Sequence, residues 1–333
     1  MTKNVQSLPM HRVVFILYPG FELLDMAGPA SVFNGANRAL GQVGKAPFYQ
    51  ISLASPGGGE VASSTGISVQ TARLDELRGQ RLGTLLIVGA ESGPLQAAMA
   101  DPELRAALPG LTPEAERFGS VCSGGMVLAG LGLLDGRRVA THWDACARFQ
   151  AHFPDVNVDP EALYVTDGRL WTSAGVTTGI DMALAMVARD LDAGIAGEVA
   201  QRLVLYARRP GHQSQFSPLL SAQARGDSPF VALIGWIQAN LHAPLDVPAL
   251  ADRAGLSERS FHRKFTAATG QTPAHFVETL RLDAARMLLS RGLPLKQVAT
   301  QVGLFPAARF SRLFQKRFGL SPGTYREMHR IEP

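Results

Sequence analysis

Gly119-Ser120-Val121-Cys122-Ser123-Gly124-Gly125 is the stretch from which the fold can be read. An apolar run, Phe118–Cys122, ends in small residues, and a helical pattern, Gly124–Leu131, follows. A residue at such a junction is forced into a sharp turn and projected from the sheet, as in a nucleophile elbow. Here that residue is Cys122. A helix N-terminus behind it would favour the thiolate and offer N–H groups to an anion. The plainer alternative is a buried cysteine at a tight turn, since free cysteine is among the most buried residue types.

Working outward, Val13–Tyr18, Tyr49–Ala54 and Thr84–Val88 are short apolar runs that fit buried strands of a parallel sheet. Met26–Leu40 and Trp143–Phe153 carry helical patterns between them. Leu163–Thr166, Asp167-Gly168 and Leu170–Ser173 read as a hairpin with a two-residue turn. Gly179–Leu191 and Gly194–Tyr206 read as closing helices. The alternation implies an α/β, doubly wound, three-layer sandwich with its site at the carboxyl ends of the strands. Gly57-Gly58-Gly59 is expected as a loop. Gly130-Leu131-Gly132 with Gly136 misses dinucleotide spacing, so no phosphate-binding cofactor is expected.

The chain has 333 residues, 46% hydrophobic and 18% charged, which predicts two domains with real cores. No apolar run of ~18 residues is present to span a membrane. Val13–Tyr18 is too short for a signal peptide. Two cysteines, Cys122 and Cys146, make neither a disulfide framework nor a CxxC metal site, so a reducing cytoplasm and no metal are expected. From Pro229 onward 14 Lys+Arg face 7 Asp+Glu, a net of +7, which leaves −3 for the rest of a chain whose total is +4. That asymmetry fits either a last third that meets a polyanion or a basic helical domain. Tyr206 to Pro229 is rich in Pro, Gly, Ser and Gln, as linkers are. The expected division is a first domain over 1–207, a linker over 208–228 and a second domain over 229–333.

The first part resembles the ThiJ/PfpI superfamily, which shares a flavodoxin-like fold with class I amidotransferases. The resemblance covers Arg12 to Tyr206. It rests on the segment from Leu17 to Pro29, on Val121-Cys122-Ser123-Gly124, on the segment from Gly132 to Trp143, on Ser173-Ala174-Gly175, and on Gly179-Ile180-Asp181-Met182-Ala183. It is strongest to the branch holding isocyanide hydratases and the sensor domains of GlxA-like regulators. Ser123 stands where the protease-like branch has His, and the downstream segment carries Asp181 without a His, so no Cys-His-Glu triad carries over. In the hydratase branch an Asp after the first strand lies near the elbow Cys, and Asp25 holds that place. An enzyme would use Cys122 as nucleophile and Asp25 as proton carrier; otherwise Asp25 is the N-cap of the helix Met26–Leu40. His142 with Trp143 either lines the pocket or forms an ordinary packed pair. The resemblance implies an effector pocket built from Asp25, Cys122, Ser123, Gly124, His142 and Asp181, with no catalytic residues.

The last third contains two helix-turn-helix patterns. In the first, Val247–Arg253 precedes Ala254-Gly255-Leu256, and Ser257 caps Glu258–Ala267 with Phe261 and Phe265 inward. In the second, Leu295–Gln301 precedes Gly303, and Pro306 opens a helix with Phe310, Phe314 and Phe318 at four-residue spacing. Arg263 and Arg312 lie 49 residues apart. Pro273–Ser290, with a stripe of Phe276, Leu280, Ala284 and Leu288, makes a connecting helix ~27 Å long. Such a spacer places two recognition helices about one DNA turn, ~34 Å, apart.

This segment, Phe230 to Arg326, resembles the AraC-type DNA-binding domain. Ala254-Gly255-Leu256-Ser257, Arg263, Phe265, Gly270, Pro273, Arg281-Leu282, Gly303, Phe314, Phe318-Gly319, Ser321-Pro322 and Tyr325-Arg326 are among the residues that carry it. The resemblance puts DNA contacts at Arg259, His262 and Arg263, and at Ala307, Ala308, Arg309, Ser311 and Arg312. Each arginine is open to base or phosphate contact. Leu304 stands where Phe is usual, and Phe305-Pro306-Ala307-Ala308 replaces a more polar cap, so the second unit is expected to read sequence more loosely. Together these imply a cytoplasmic, homodimeric transcription regulator, most often an activator, on the nucleoid when bound to double-stranded DNA. A nitrogenous small-molecule effector is implied by resemblance alone. The rivals are a hydratase- or hydrolase-type enzyme with accessory DNA binding, and a redox sensor using Cys122.

Overall fold

The computed structural model describes residues 10–205, 211, 215, 230–318 and 320–329. The chain divides into two compact units, Met1–Gln215 and Phe216–Pro333. Apart from Gly211 and Gln215, the expected linker lies outside the described residues; the last helix of the first unit, expected to reach Tyr206, instead ends at Arg202, where Leu203 caps it.

The first unit is built on β1 (His11–Ile16), β2 (Tyr49–Ser55), β3 (Gly59–Ala62), β4 (Ser68–Arg73), β5 (Leu82–Ile87), β6 (Ala115–Val121), β9 (Tyr164–Asp167) and β10 (Leu170–Ser173). These form one sheet in the order β3-β4-β2-β1-β5-β6-β10-β9. Its middle six strands are parallel, and β3 and β9 are antiparallel edges. A two-strand ladder, β7 (Arg138–Val139) with β8 (Asn157–Val158), stands apart. Strand β1 shows why the central runs are apolar throughout. Val13, Phe15 and Leu17 pack into one layer with α1 (Leu23–Gln42), α6 (Thr177–Asp190) and α7 (Ala193–Arg202). Val14, Ile16 and Tyr18 pack into the other, with α2 (Ser92–Ala100), α3 (Pro102–Glu114), α4 (Gly125–Ala129) and α5 (Trp143–His152). Both faces of the central strands are covered, so period-two alternation is lost there.

Three features depart from expectation. Helices α2 and α3 occupy a stretch where prolines 94, 102, 109 and 113 mask the helical pattern; Pro102 sits at a first-turn position, where its missing N–H costs nothing. The glycine run 57–59 leads into the β3–β4 hairpin rather than a plain loop. The β9–β10 turn is Gly168-Arg169, one residue later than expected, because Asp167 pairs with Leu170 and Gly168 takes φ +61°.

At the amino ends of the strands Arg117 on β6 is buried. Its guanidinium donates to both Asp190 oxygens (2.7 and 2.5 Å) and to Thr84 Oγ1 (2.7 Å). Tyr49 donates its hydroxyl to the same carboxylate at 2.8 Å. Asp190 ends α6, so this cluster pins that helix to three strands at once.

The second unit contains α8 (Val231–Ala239), α9 (Val247–Arg253), α10 (Glu258–Thr269), α11 (Pro273–Ser290), α12 (Leu295–Gln301), α13 (Ala307–Phe318) and α14 (Pro322–His329). Asp246 and Ser257 cap α9 and α10 by accepting from Ala249 N and Ser260 N, and Gly270 ends α10 at φ +75°. Two aromatic cores result. Phe230, Phe261, Phe265 and Phe276 fill one, and Phe310, Phe314 and Tyr325 fill the other. The connecting helix α11 serves both. Phe276, Val277 and Leu280 enter the first core, while Leu282, Ala285 and Leu289 enter the second. At about 100° per residue these sets lie on roughly opposite faces. The stripe expected through Phe276, Leu280, Ala284 and Leu288 is present, its last two residues half-buried against the second core, and a further face through Leu282, Ala285 and Leu289 is added to it. Arg281 ties the halves together, donating to Leu241 O (3.0 Å) and Ala243 O (2.6 Å) and lying against Gly303.

Replacing Arg117 with Ala leaves the Asp190 carboxylate nearly buried and unpaired, and this should lower the unfolding free energy of the first unit by about 3–5 kcal/mol. Urea unfolding followed by near-ultraviolet circular dichroism measures it; an unchanged midpoint would show that the cluster does not hold α6.

Candidate functional site: an elbow cleft and two recognition helices

Cys122 follows β6 directly and takes φ 59°, a left-handed conformation that a non-glycine residue adopts only where its surroundings enforce it. Those surroundings are glycines. A Cβ on Gly89 would lie 2.7 Å from Cys122 Cβ, and one on Gly175 (φ +95°) would lie 2.7 Å from its Sγ. The ends of β5 and β10 thus close onto the elbow only because neither carries a side chain there. Gly124 packs under the end of β5, where a Cβ would meet Ile87 O and Val88 O at 2.6 Å, so it supports the turn rather than lining a pocket. Ser123 locks the loop after β5, donating to Ala90 O (2.9 Å) and accepting from Ala90 N (3.1 Å).

Asp25 sits in the first turn of α1 and is fully buried. It is not the N-cap; Glu22 is, accepting from Leu24 N at 3.3 Å. One Asp25 oxygen accepts from Val176 N at 2.6 Å and the other from Gly89 N at 3.1 Å. The Cys122 thiol donates to the same carboxylate. Val176 is itself strained (φ 51°, ψ −114°) in aiming its N–H at Asp25. Burial pushes the Asp25 carboxyl up to about 6, against the two backbone N–H groups that stabilise its charge. Burial, then the Asp25 charge, pushes the Cys122 thiol far above its usual range, with Ser123 pulling weakly the other way. This corrects the expectation of a favoured thiolate. The helix that follows, Gly125–Ala129, has only five residues, and its field is outweighed by desolvation.

Cys122 opens on a cleft of about 490 Å³. Ser123 and His142 line it as expected, with Glu22, Glu91, Asp144 and Arg148. Arg148 donates to Ser92 Oγ at 2.7 Å and stands 4.0 Å from Asp144. Burial lowers the His142 pKa, so its imidazole is neutral. Its ring lies 5.4 Å from that of Trp143, which is half-exposed. Asp25 lies behind Cys122 rather than in the lining, and Asp181 is buried in α6 outside the cleft. The acidic rim was not foreseen. Glu22 announces itself only as a helix cap, while Glu91, Asp144 and Arg148 carry no local pattern and meet only in three dimensions. Among the described residues no group of three or more His, Cys, Asp or Glu is placed to hold a metal, and no helix is long and apolar enough to cross a membrane.

In the second unit, Arg259, His262 and Arg263 project from α10 into solvent, opposite Phe261 and Phe265. Arg309 and Arg312 project likewise from α13, with Ala307 and Ala308 exposed at its start. Ser311 is half-buried beside Phe310, which leaves it less available than its neighbours.

The DJ-1/PfpI family profile matches residues 11–189, and a helix-turn-helix domain profile matches residues 250–328. The chain is 34% identical to the HTH-type transcriptional regulator CdhR of Pseudomonas aeruginosa, over 92% of this chain and 89% of that protein. It is 30% identical to the HTH-type transcriptional regulator GlxA of Rhizobium meliloti, over 98% of each. An isonitrile hydratase of Pseudomonas putida is 30% identical over 61% of this chain and 82% of its own.

A buried carboxyl raised from 3.8 to about 6 binds its proton more tightly in the folded state. Its contribution is therefore fully present below pH ~4 and lost as pH rises towards 6, in all about 3 kcal/mol. Urea titrations between pH 4 and 7 should show this loss in the wild type and not in Asp25→Asn. Parallel pH profiles for the two proteins would contradict the raised carboxyl.

Proposed function

The chain belongs to the DJ-1/PfpI family, in the branch that ends in an AraC-type helix-turn-helix domain and regulates transcription, and we propose that a small cationic metabolite in the Cys122 cleft controls its grip on operator DNA. The observation that carries the effector's charge is the lining: Glu22, Glu91 and Asp144 set against Arg148 alone, with His142 and Cys122 neutral. A net of about −2 in a partly enclosed cleft favours a nitrogenous cation, because low-dielectric walls focus the field. The arginine leaves room for a carboxylate on the same molecule. Effector binding shifts the population between two states of different operator affinity, and only a difference in ligand affinity between those states can do so. Resemblance supports a cytoplasmic homodimer acting as an activator.

The chain is not an enzyme. Regulators match 92% and 98% of it, whereas the hydratase matches 61%. A thiol held protonated by burial and by Asp25 is poorly prepared for attack. The same protonation weighs against a redox sensor.

A thermal-shift screen of amino acids, alkylamines, quaternary amines and isocyanides tests the effector. A cation at ~100 times its dissociation constant should stabilise the protein by ~2.7 kcal/mol. Glu91→Gln and Asp144→Asn should each weaken it about two- to fivefold, as exposed charges do. The ligand should emerge intact and change operator affinity. Binding confined to neutral or anionic compounds would overturn the cationic effector; turnover lost in Cys122→Ala would restore the enzyme.

For the DNA-binding unit, Arg263→Ala should cost about 1–3 kcal/mol of specific binding and relax one base position, while affinity for any duplex falls steeply with salt. Operator titrations at several salt concentrations check both. An unchanged affinity and base preference would remove α10 from the major groove.

A further inference from the structure

The two recognition helices present chemically different tips. Phe261 comes six positions after Gly255, but the corresponding Phe310 comes seven positions after Gly303. Both glycines turn the chain at nearly equal φ, +65° and +66°. The first unit caps its helix at Ser257, whose carbonyl accepts from Phe261 N at 2.8 Å. The second starts at Pro306, whose carbonyl accepts from Arg309 N (2.9 Å) and Phe310 N (3.2 Å). The additional residue is Phe305, and it has no place in the core: Leu304 before it is 2% exposed, Phe305 itself 55%. Ala307 and Ala308, exposed beyond it, extend the apolar tip. Phe305 shares a groove with Arg309, and Arg312 and Lys316 are exposed further along α13.

An apolar tip set in a basic face fits a polyanion that displays apolar groups between its charges. In the major groove of DNA the base edges offer one such group, the thymine 5-methyl. Helix N-termini are where recognition helices meet base edges. We propose that Phe305, with Ala307 and Ala308, reads thymine methyls, so that the operator has a thymine-marked half-site under α13. The other half-site, under α10, carries purine edges read by Arg259, His262 and Arg263. This rests on the DNA-binding reading above and adds a specificity-determining residue to it.

In vitro selection of the full chain against a randomised duplex pool supplies the probe. Wild type should enrich thymines in one half-site; Phe305→Ala should lose them and keep the other half, and Arg263→Ala should keep the thymines and relax one base position in the other half. Deoxyuridine in place of those thymines removes only the methyl and should weaken wild type roughly fourfold per methyl. Deoxyuridine elsewhere should change nothing. Phe305→Ala should bind both duplexes equally, and Phe305→Leu should restore the preference; exposure at 55% makes a folding failure in either variant unexpected. Equal wild-type affinity for thymine and deoxyuridine duplexes, or a preference that survives Phe305→Ala, overturns the proposal and leaves Phe305 to a protein partner. If wild type enriches no sequence, the regulator reading falls and this one with it.

Discussion

The first unit depends on how closely its backbone packs around Cys122. Gly89 and Gly175 let two strand ends approach the elbow to distances that a Cβ would forbid. That approach removes water from Asp25 and Cys122 together. Burial then raises both groups, and the hydrogen bond between them keeps the proton on sulfur while Asp25 is ionised. The left-handed backbone at Cys122 and Val176 is a cost that the packed sheet, pinned at its far end by Arg117 and Asp190, is able to sustain.

This arrangement suits a sensor. A reactive cysteine needs an exposed, electropositive setting. Cys122 is instead neutral and dry on one side, and its open side faces carboxylates. Charge in the cleft is therefore carried by four side chains that arrive from three separate segments: the start of α1, the loop before α2, and two positions on α5. A ligand that contacts them bridges elements on both layers of the sandwich. In the DNA-binding unit the corresponding constraint is α11. Two small cores are buried on its opposite faces, so their recognition helices share one spacer.

Much of this was legible in the chain. The central strands, the elbow, the hairpin and most helices of the second unit follow from apolar runs, glycine turns and phenylalanines at four-residue spacing. These are local signals, set by sterics and by the period of the backbone. What escaped notice did so for physical reasons. Prolines hid α3 because they oppose a helix interior, although packing of Leu104, Leu108 and Leu111 overrides that preference. The β3–β4 edge hairpin is half-exposed and lacks an apolar run. Asp25 has the local chemistry of a cap, and only burial makes it a titrating group near neutrality.

By itself the sequence determined the two-domain plan, the parallel sheet with its turn at Cys122, and the paired helix-turn-helix units. Each of these is written in residues close together along the chain. The tertiary structure alone decided that the thiol stays protonated, that the cleft is acidic, that α11 has two buried faces, and that Phe305 stands in solvent at the apolar tip of a basic helix. Burial, desolvation and long-range contact set those properties, and they come into existence only when distant segments pack.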